Sequence, residues 1–144
     1  MSLQSRDDGQ ERDDERDDGT AARICVVDDD AAVRHGALNL LEAGGYRATG
    51  FDSAEAFLAW PGRAGFDLAL FDIELPGMDG FALQERCAAL GLNMPLLYIS
   101  GRGDPDMEQR ALRAGALALL RKPVDPDLLF DHIERALGLH GSIT

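Results

Sequence analysis

Acidic, hydroxyl and amino side chains follow four short apolar runs in this sequence, at the places where buried strands would end. The runs cover residues 24–27, 68–71, 96–99 and 117–120, the last in a predicted strand that ends at Arg121, and the polar residues that follow these strands are Asp28 and Asp29, Asp72, Ser100 and Lys122. Continuous apolar runs of this length are typical of strands buried on both faces of a parallel sheet. In such sheets, ligands bind in the crevice beyond the carboxyl ends of the strands. We therefore expect these five side chains to line one crevice.

The composition of this crevice indicates which chemistry it could perform. Ionised carboxylates in contact repel each other by up to about 4 kcal/mol per pair at about 4 Å, for an effective dielectric constant near ~20. Either their pKa values rise or a divalent cation neutralises them. Mg²⁺ suits such oxygen ligands, and it commonly binds one or two carboxylates together with a phosphoryl oxygen. An aspartate can also attack phosphorus and form an acyl phosphate. The predicted chemistry is therefore phosphoryl binding, with Asp72 as a nucleophile.

Each of these residues also has an ordinary structural explanation when it is considered alone. Residues 28–30 could be a solvated helix cap, Ser100 could belong to a turn, and Lys122 could be a surface charge. Lys122, however, is the only lysine in a chain with thirteen arginines. A compact ammonium binds differently from a planar guanidinium, so the bias indicates that this position requires lysine. Together, the residues favour one shared site.

Helical patterns alternate with strands along the chain. The predicted helices cover residues 31–43, 54–60, 81–90, 105–114 and a last segment from residue 126, and a further strand covers residues 46–51. The second helix would carry Ala56, Phe57 and Trp60 on one face. This alternation predicts an α/β fold: a doubly wound, flavodoxin-like, five-stranded parallel sheet in the order 2-1-3-4-5, with five helices. In that order the first and third strands are neighbours.

The first 22 residues differ in composition from the rest of the chain. They contain six Asp, two Glu and three Arg, and almost no large apolar side chains. We interpret residues 1–22 as a disordered acidic tail, because they cannot bury enough apolar surface to fold. The tail carries a net charge of −5, and the remaining residues carry −7 of the total of −12. This balance argues against direct binding to nucleic acid or to an anionic membrane.

The sequence also gives expectations about cellular location. No apolar run is long enough to span a bilayer, and no signal peptide opens the chain. Cys25 and Cys87 fall in a predicted strand and a predicted helix, without the spacing of metal ligands. We expect both to be buried free thiols in a reducing compartment. The expected protein is cytoplasmic and has one folded domain.

Four motifs occur in a specific order and spacing. They are residues 26–30 (Val-Val-Asp-Asp-Asp), residues 71–80 (Phe-Asp-Ile-Glu-Leu-Pro-Gly-Met-Asp-Gly), Ser100-Gly101 and Lys122-Pro123. With these motifs, residues 23–140 resemble a receiver domain of two-component response regulators, and residues 141–144 would be a C-terminal tail. The resemblance implies that Asp72 accepts a phosphoryl group from a phosphohistidine.

The resemblance also implies a role for each of the neighbouring residues. Asp29, Asp72 and the backbone carbonyl of Glu74 would ligate Mg²⁺, with Asp28 acting through water. Ser100 would bind a phosphoryl oxygen. Lys122 would form an ion pair with the phosphoryl group, next to a cis bond to the following proline.

The expected partners follow from the same resemblance. The donor would be a sensor histidine kinase or a histidine phosphotransfer protein, and the protein would catalyse only its own phosphorylation and dephosphorylation. Phosphorylation would then switch an output domain, an effector protein, or a homodimer formed through the fourth helix, fifth strand and fifth helix.

Two positions depart from the family pattern. Leu119 stands where the family usually has an aromatic residue that responds to phosphorylation, so we expect a weaker link to the fourth helix. Glu74 stands near the attacking water, so we expect it to affect the lifetime of the phosphoryl group. Two other functions stay open at this point. One is a phosphatase with an aspartate nucleophile, and the other is a degenerate receiver that binds proteins without phosphorylation.

Overall fold

The computed structural model describes residues 21–102 and 104–138, and within them it contains five strands, five α-helices and one 3₁₀ helix. The strands are β1 (Arg23–Val27), β2 (Arg47–Phe51), β3 (Leu68–Asp72), β4 (Leu96–Ser100) and β5 (Ala118–Arg121). The helices are α1 (Ala31–Ala43), α2 (Ala54–Ala59), α3 (Gly80–Ala89), α4 (Pro105–Arg113) and α5 (Pro126–Leu137). The 3₁₀ helix (Arg63–Gly65) lies between α2 and β3.

The five strands form one sheet in the order β2-β1-β3-β4-β5, and every pair of neighbours is parallel. The predicted doubly wound fold is therefore confirmed. The chain adds β2 on one side of β1 and all later strands on the other side, so β1 and β3 are adjacent. Their carboxyl ends lie at the point where the strand order reverses, which is where open α/β sheets bind ligands.

Apolar side chains cover both faces of the sheet, and successive residues of each strand alternate between the two faces. On one face Cys25, Ala69 and Tyr98 belong to a cluster that includes residues of α2, α3 and α4. On the other face Ile24, Leu70 and similar residues pack with residues of α1 and α5. Burial on both sides explains why the central strands are continuous apolar runs in the sequence.

Each α-helix begins at a short polar residue whose side chain accepts a hydrogen bond from a backbone N–H of the first turn. These N-cap residues are Asp30, Ser53, Asp79, Asp104 and Asp125. Such caps satisfy backbone donors that have no partner within the helix, and each contributes roughly 1 kcal/mol. They fix where the chain leaves each strand end and enters the following helix, which limits the movement of the loops at the carboxyl edge of the sheet.

The structure differs from the sequence-based prediction around α2. The helix ends at Ala59, so Trp60 lies outside it and is 41% exposed, instead of lying on the buried face beside Phe57. The Trp60 ring still contacts Phe51 of β2 edge-on, with ring centroids 5.6 Å apart. Trp60 therefore leaves the helix with an extended backbone and covers the side of the core from outside.

Two further sequence predictions concern the chain termini and the thiols. The predicted tails, residues 1–22 and 141–144, lie outside the described residues, apart from Ala21 and Ala22. The Ala22 carbonyl already accepts a hydrogen bond from Arg47 N at 2.9 Å, beside β2. Cys25 and Cys87 are free and buried, as predicted. Across residues 21–102 and 104–138, no helix has both the length and the apolar character needed to cross a membrane.

Candidate functional site

The predicted site residues stand on adjacent strands at the carboxyl edge of the sheet. Val27 pairs with Phe71, so the residues that follow them, Asp28 and Asp72, are neighbours across the β1–β3 boundary. On the other side of β3, Ser100 is the last residue of β4, and β5 pairs beside it. The register of the sheet therefore brings the ends of four strands to one crevice, as the order of the strands predicts.

Lys122 connects the ends of three strands through its backbone and its side chain. Its backbone N–H donates to the carbonyl of Ser100 at 2.9 Å. Its Nζ forms ion pairs with Oδ2 of Asp28 at 2.9 Å and Oδ2 of Asp72 at 3.1 Å. The bond from Lys122 to Pro123 is cis, which confirms that expectation. The single lysine of the chain is therefore the cation that lies between the two buried carboxylates.

Asp72 is almost completely buried, and both of its carboxylate oxygens have partners. Oδ1 accepts a hydrogen bond from Glu74 N at 2.9 Å, and Oδ2 accepts one from Lys122. The pKa of Asp72 is raised, mainly because the carboxylate is buried. The hydrogen bond from the Glu74 N–H opposes this rise, and the charge of Asp28 increases it. Burial alone would lower the pKa of Lys122, but its hydrogen bonds to Asp28 and Asp72 outweigh burial, and the pKa is raised. One ammonium thus only partly offsets the mutual repulsion of the carboxylates.

The carboxylates of Asp28, Asp29 and Asp72 form a cluster suited to a divalent cation. One oxygen from each lies within 4.8 Å of the other two. Two oxygens bound to one Mg²⁺ at about 2.0–2.1 Å are roughly 3 to 4 Å apart, so small side-chain movements suffice to reach that geometry. Asp28 and Asp72 are buried, whereas Asp29 is exposed, which leaves an open side for water or a substrate oxygen. The donor set therefore fits Mg²⁺.

The sequence profile of the response regulator receiver domain matches residues 24–134. The chain belongs to this family. It is 40% identical over 119 residues to the transcriptional regulatory protein FixJ of Bradyrhizobium diazoefficiens, an alignment that covers 82% of this chain and 58% of FixJ. It is 37% identical over 116 residues to the response regulator protein TmoT of Ectopseudomonas mendocina, covering 81% of this chain and 53% of TmoT.

Solved structures agree with this assignment. The crystal structure of a CheY-like receiver domain protein from Methanospirillum hungatei superimposes with a TM-score of 0.75 and 34% sequence identity, covering 87% of this chain and 100% of that one. The chain spans about half the length of the curated relatives it matches first. Phosphorylation and Mg²⁺ binding are general properties of receiver domains, and the acidic cluster of this receiver domain is consistent with both.

The Ser100 hydroxyl binds a side chain of the chain itself, and its bond to a phosphoryl oxygen stays a prediction. Ser100 is fully buried, and its Oγ donates to Oε2 of Glu74 at 2.6 Å. The N–H of Gly101 donates to the other carboxylate oxygen of Glu74, at 3.2 Å. The sequence places Glu74 close to the site, but it does not indicate that this side chain binds the end of β4. In this receiver domain, the side chain of Glu74 therefore takes part in the site, in addition to its backbone.

Gly80 allows the loop after β3 to fold tightly against Asp72. Its N–H donates to the carbonyl of Ile73 at 3.0 Å. A Cβ at position 80 would lie only 2.5 Å from the carbonyl oxygen of Asp72 and 2.9 Å from Cα of Ile73. These neighbours are backbone atoms, which cannot rotate away. The receiver domain therefore needs glycine here so that α3 can begin directly beside the acidic residue.

A polar chain near Leu119 was also not expected from the sequence. Tyr98 pairs in register with Leu119, and its hydroxyl hydrogen bonds to the side chain of Gln84 in α3. The amide of Gln84 donates in turn to the carbonyl of Ala114, at the end of α4. A buried aromatic side chain on the strand next to Leu119 thus links β4 to α3 and α4.

Proposed function

We propose that this receiver domain is the phosphoacceptor of a phosphorelay, and that Asp72 receives the phosphoryl group from a phosphohistidine of a sensor histidine kinase or histidine phosphotransfer protein. The observation that carries the proposal is the position of Asp72. It is buried at the switch point of the sheet, contacts the only lysine, and contributes one oxygen to a cluster of three carboxylates. Phosphorylation is general among receiver domains, and the carboxylates and the ammonium that it uses lie together in this site.

The proposed reaction is a substitution at phosphorus. A carboxylate oxygen of Asp72 forms a bond to phosphorus while the P–N bond to the donor imidazole breaks, and the electron pair of that bond stays on the imidazole nitrogen. Bound Mg²⁺, held by Asp29, Asp72 and the backbone carbonyl of Glu74 with Asp28 acting through water, would neutralise charge on the phosphoryl oxygens.

The protein's own groups complete the proposed site. The ammonium of Lys122, already 3.1 Å from Asp72, would form an ion pair with one phosphoryl oxygen. The hydroxyl of Ser100 would donate to another oxygen after changing its present partner. The phosphatase alternative is less well supported, because it expects a second aspartate two residues after the nucleophile, where this chain has Glu74. The degenerate receiver is disfavoured because each residue that phosphorylation requires is present.

The test is phosphorylation by a small phosphodonor in the presence of Mg²⁺. We expect mass spectrometry to show a gain of one phosphoryl group that is labile to alkali and absent from Asp72→Asn. Asp52→Asn is the matched control, because Asp52 follows β2 at the same edge of the sheet, is exposed, and carries the same charge. An Asp72→Asn variant that gains the mass at the wild-type rate would contradict the assignment.

We further propose that phosphorylation acts on the surface formed by α4, β5 and α5, through a homodimer, an effector or an output domain. Three of the large apolar side chains that are exposed within the described residues belong to this part of the chain, namely Leu112, Leu117 and Leu128. The oligomeric state, measured with and without beryllofluoride, tests the homodimer. We also propose a cytoplasmic location, in keeping with two free thiols.

A further inference from the structure

The end of β4 binds a carboxylate of the chain itself in a two-point arrangement. The Ser100 hydroxyl and the Gly101 N–H donate to different oxygens of the same carboxylate, that of Glu74, at 2.6 and 3.2 Å. Two adjacent donors that bind two oxygens of one anion form a ready site for an oxyanion. In this conformation the site is filled by Glu74.

Each of these donors has only one proton to give. A serine hydroxyl donates one hydrogen bond, and so does a backbone N–H. Ser100 therefore cannot donate to a phosphoryl oxygen on Asp72 while it donates to Glu74. The backbone of Glu74 is held at Asp72 by its own N–H, at 2.9 Å from Oδ1. Rotation of the Glu74 side chain alone would free both donors without moving the chain that covers Asp72.

We propose that Glu74 is a positioning residue that holds Ser100 and Gly101 in the unphosphorylated protein and competes with the phosphoryl group for their two hydrogen bonds. The proposal rests on the proposed function of Asp72 as phosphoacceptor. Its consequence is that Glu74 lowers the occupancy of the phosphorylated state. The displaced carboxylate must give up two hydrogen bonds for the phosphoryl group to gain them.

The first test is the affinity for beryllofluoride, with Mg²⁺ present, as a mimic of the phosphoryl group. We expect Glu74→Ala to bind about tenfold more tightly than wild type, a factor that corresponds to ~1.4 kcal/mol. Glu74→Gln keeps the size of the side chain, and we expect a smaller gain because its amide has one acceptor oxygen. Glu55→Gln is the matched control. It removes the same charge from an exposed carboxylate that lies against Gly77 in the neighbouring loop, so its affinity should stay within about twofold.

A double-mutant cycle separates competition for hydrogen bonds from simple charge repulsion. If Glu74 acts by holding Ser100, the gain of Glu74→Ala should fall to about threefold or less in a Ser100→Ala background. The Gly101 amide supplies a second readout in the protein without beryllofluoride. Its NMR signal should shift in Glu74→Ala and stay in place in Glu55→Gln.

The outcomes distinguish this inference from the proposed function. A wild-type protein that binds no beryllofluoride would contradict the role of Asp72 itself. If wild type binds and Glu74→Ala binds with the same affinity, the competition is refuted and the role of Asp72 stands. A gain that is equally large in the Ser100→Ala background would refute competition for the hydrogen bond of Ser100.

Discussion

Replacing Gly80 by alanine should damage both the stability and the chemistry of this receiver domain. The new Cβ would lie 2.5 Å from the Asp72 carbonyl oxygen, whereas ordinary contacts begin near 3.4 Å. Relieving that overlap requires a backbone shift of ~1 Å. Overpacking of this kind costs about 1–3 kcal/mol in the free energy of unfolding. Alanine regains about 0.5–1 kcal/mol in a helix, so we expect a net loss of up to about 2.5 kcal/mol.

Gly36→Ala is the matched control for this change. Gly36 lies inside α1, and a Cβ there would have no neighbour within 4 Å, so alanine should stabilise the fold by about 0.5–1 kcal/mol. Urea unfolding measures both free energies. Because the crowded atoms include the backbone of Asp72, the phosphorylation rate of Gly80→Ala should also fall, by up to about 100-fold for a ~1 Å displacement. If Gly80→Ala matches Gly36→Ala in stability and wild type in rate, the steric reasoning is wrong.

Four further predictions concern the site and its surroundings. Lys122→Arg should slow phosphorylation more than tenfold at saturating Mg²⁺ with little change in stability, since a planar guanidinium is wider than an ammonium; a rate within about twofold of wild type would contradict this. Mg²⁺ at ten times its Kd should raise the free energy of unfolding by ~1.4 kcal/mol, and Asp29→Asn should reduce that gain in a denaturant titration. Deleting residues 1–20, which leaves the Ala22 hydrogen bond in place, should leave the Tm and the phosphorylation rate nearly unchanged, and a loss of several degrees would show that the tail docks on the domain. Because Leu119 stands where an aromatic residue is usual, beryllofluoride should cause only partial NMR shifts in α4. Large, saturating shifts throughout that helix would refute the expectation.

The fold could be predicted from the sequence because its strands are buried on both faces and its helices are capped. Continuous apolar runs such as residues 68–71 leave few alternatives to a central parallel strand, and the order of strands then determines which ends meet. The positions of Asp28, Asp72 and Lys122 follow from that order. The ends of the helices were predicted less accurately, as Trp60 shows. An apolar residue one turn further along fits a helical pattern whether or not the helix continues.

The contacts of individual side chains could not be predicted in the same way. The bond from Glu74 to the end of β4 depends on one side-chain rotamer, and the chain of hydrogen bonds through Tyr98 and Gln84 depends on the packing of α3 and α4. The spacing of apolar residues in the sequence indicates neither arrangement. These are also the places where this receiver domain differs from what its motifs alone imply.

Because the chain has one lysine, amine-selective reagents can modify the site at a single side chain. Apart from the terminal amino group, Lys122 is the only primary amine in the chain, and its side chain is 20% exposed. Amine-selective reagents attack the neutral amine, and the two carboxylates beside Lys122 raise its pKa and so keep it charged. Its rate of modification is therefore a direct measure of the electrostatics of the site. A single mass-spectrometric signal can follow the binding of cations and phosphoryl mimics in the native protein, without a fluorophore or an engineered cysteine.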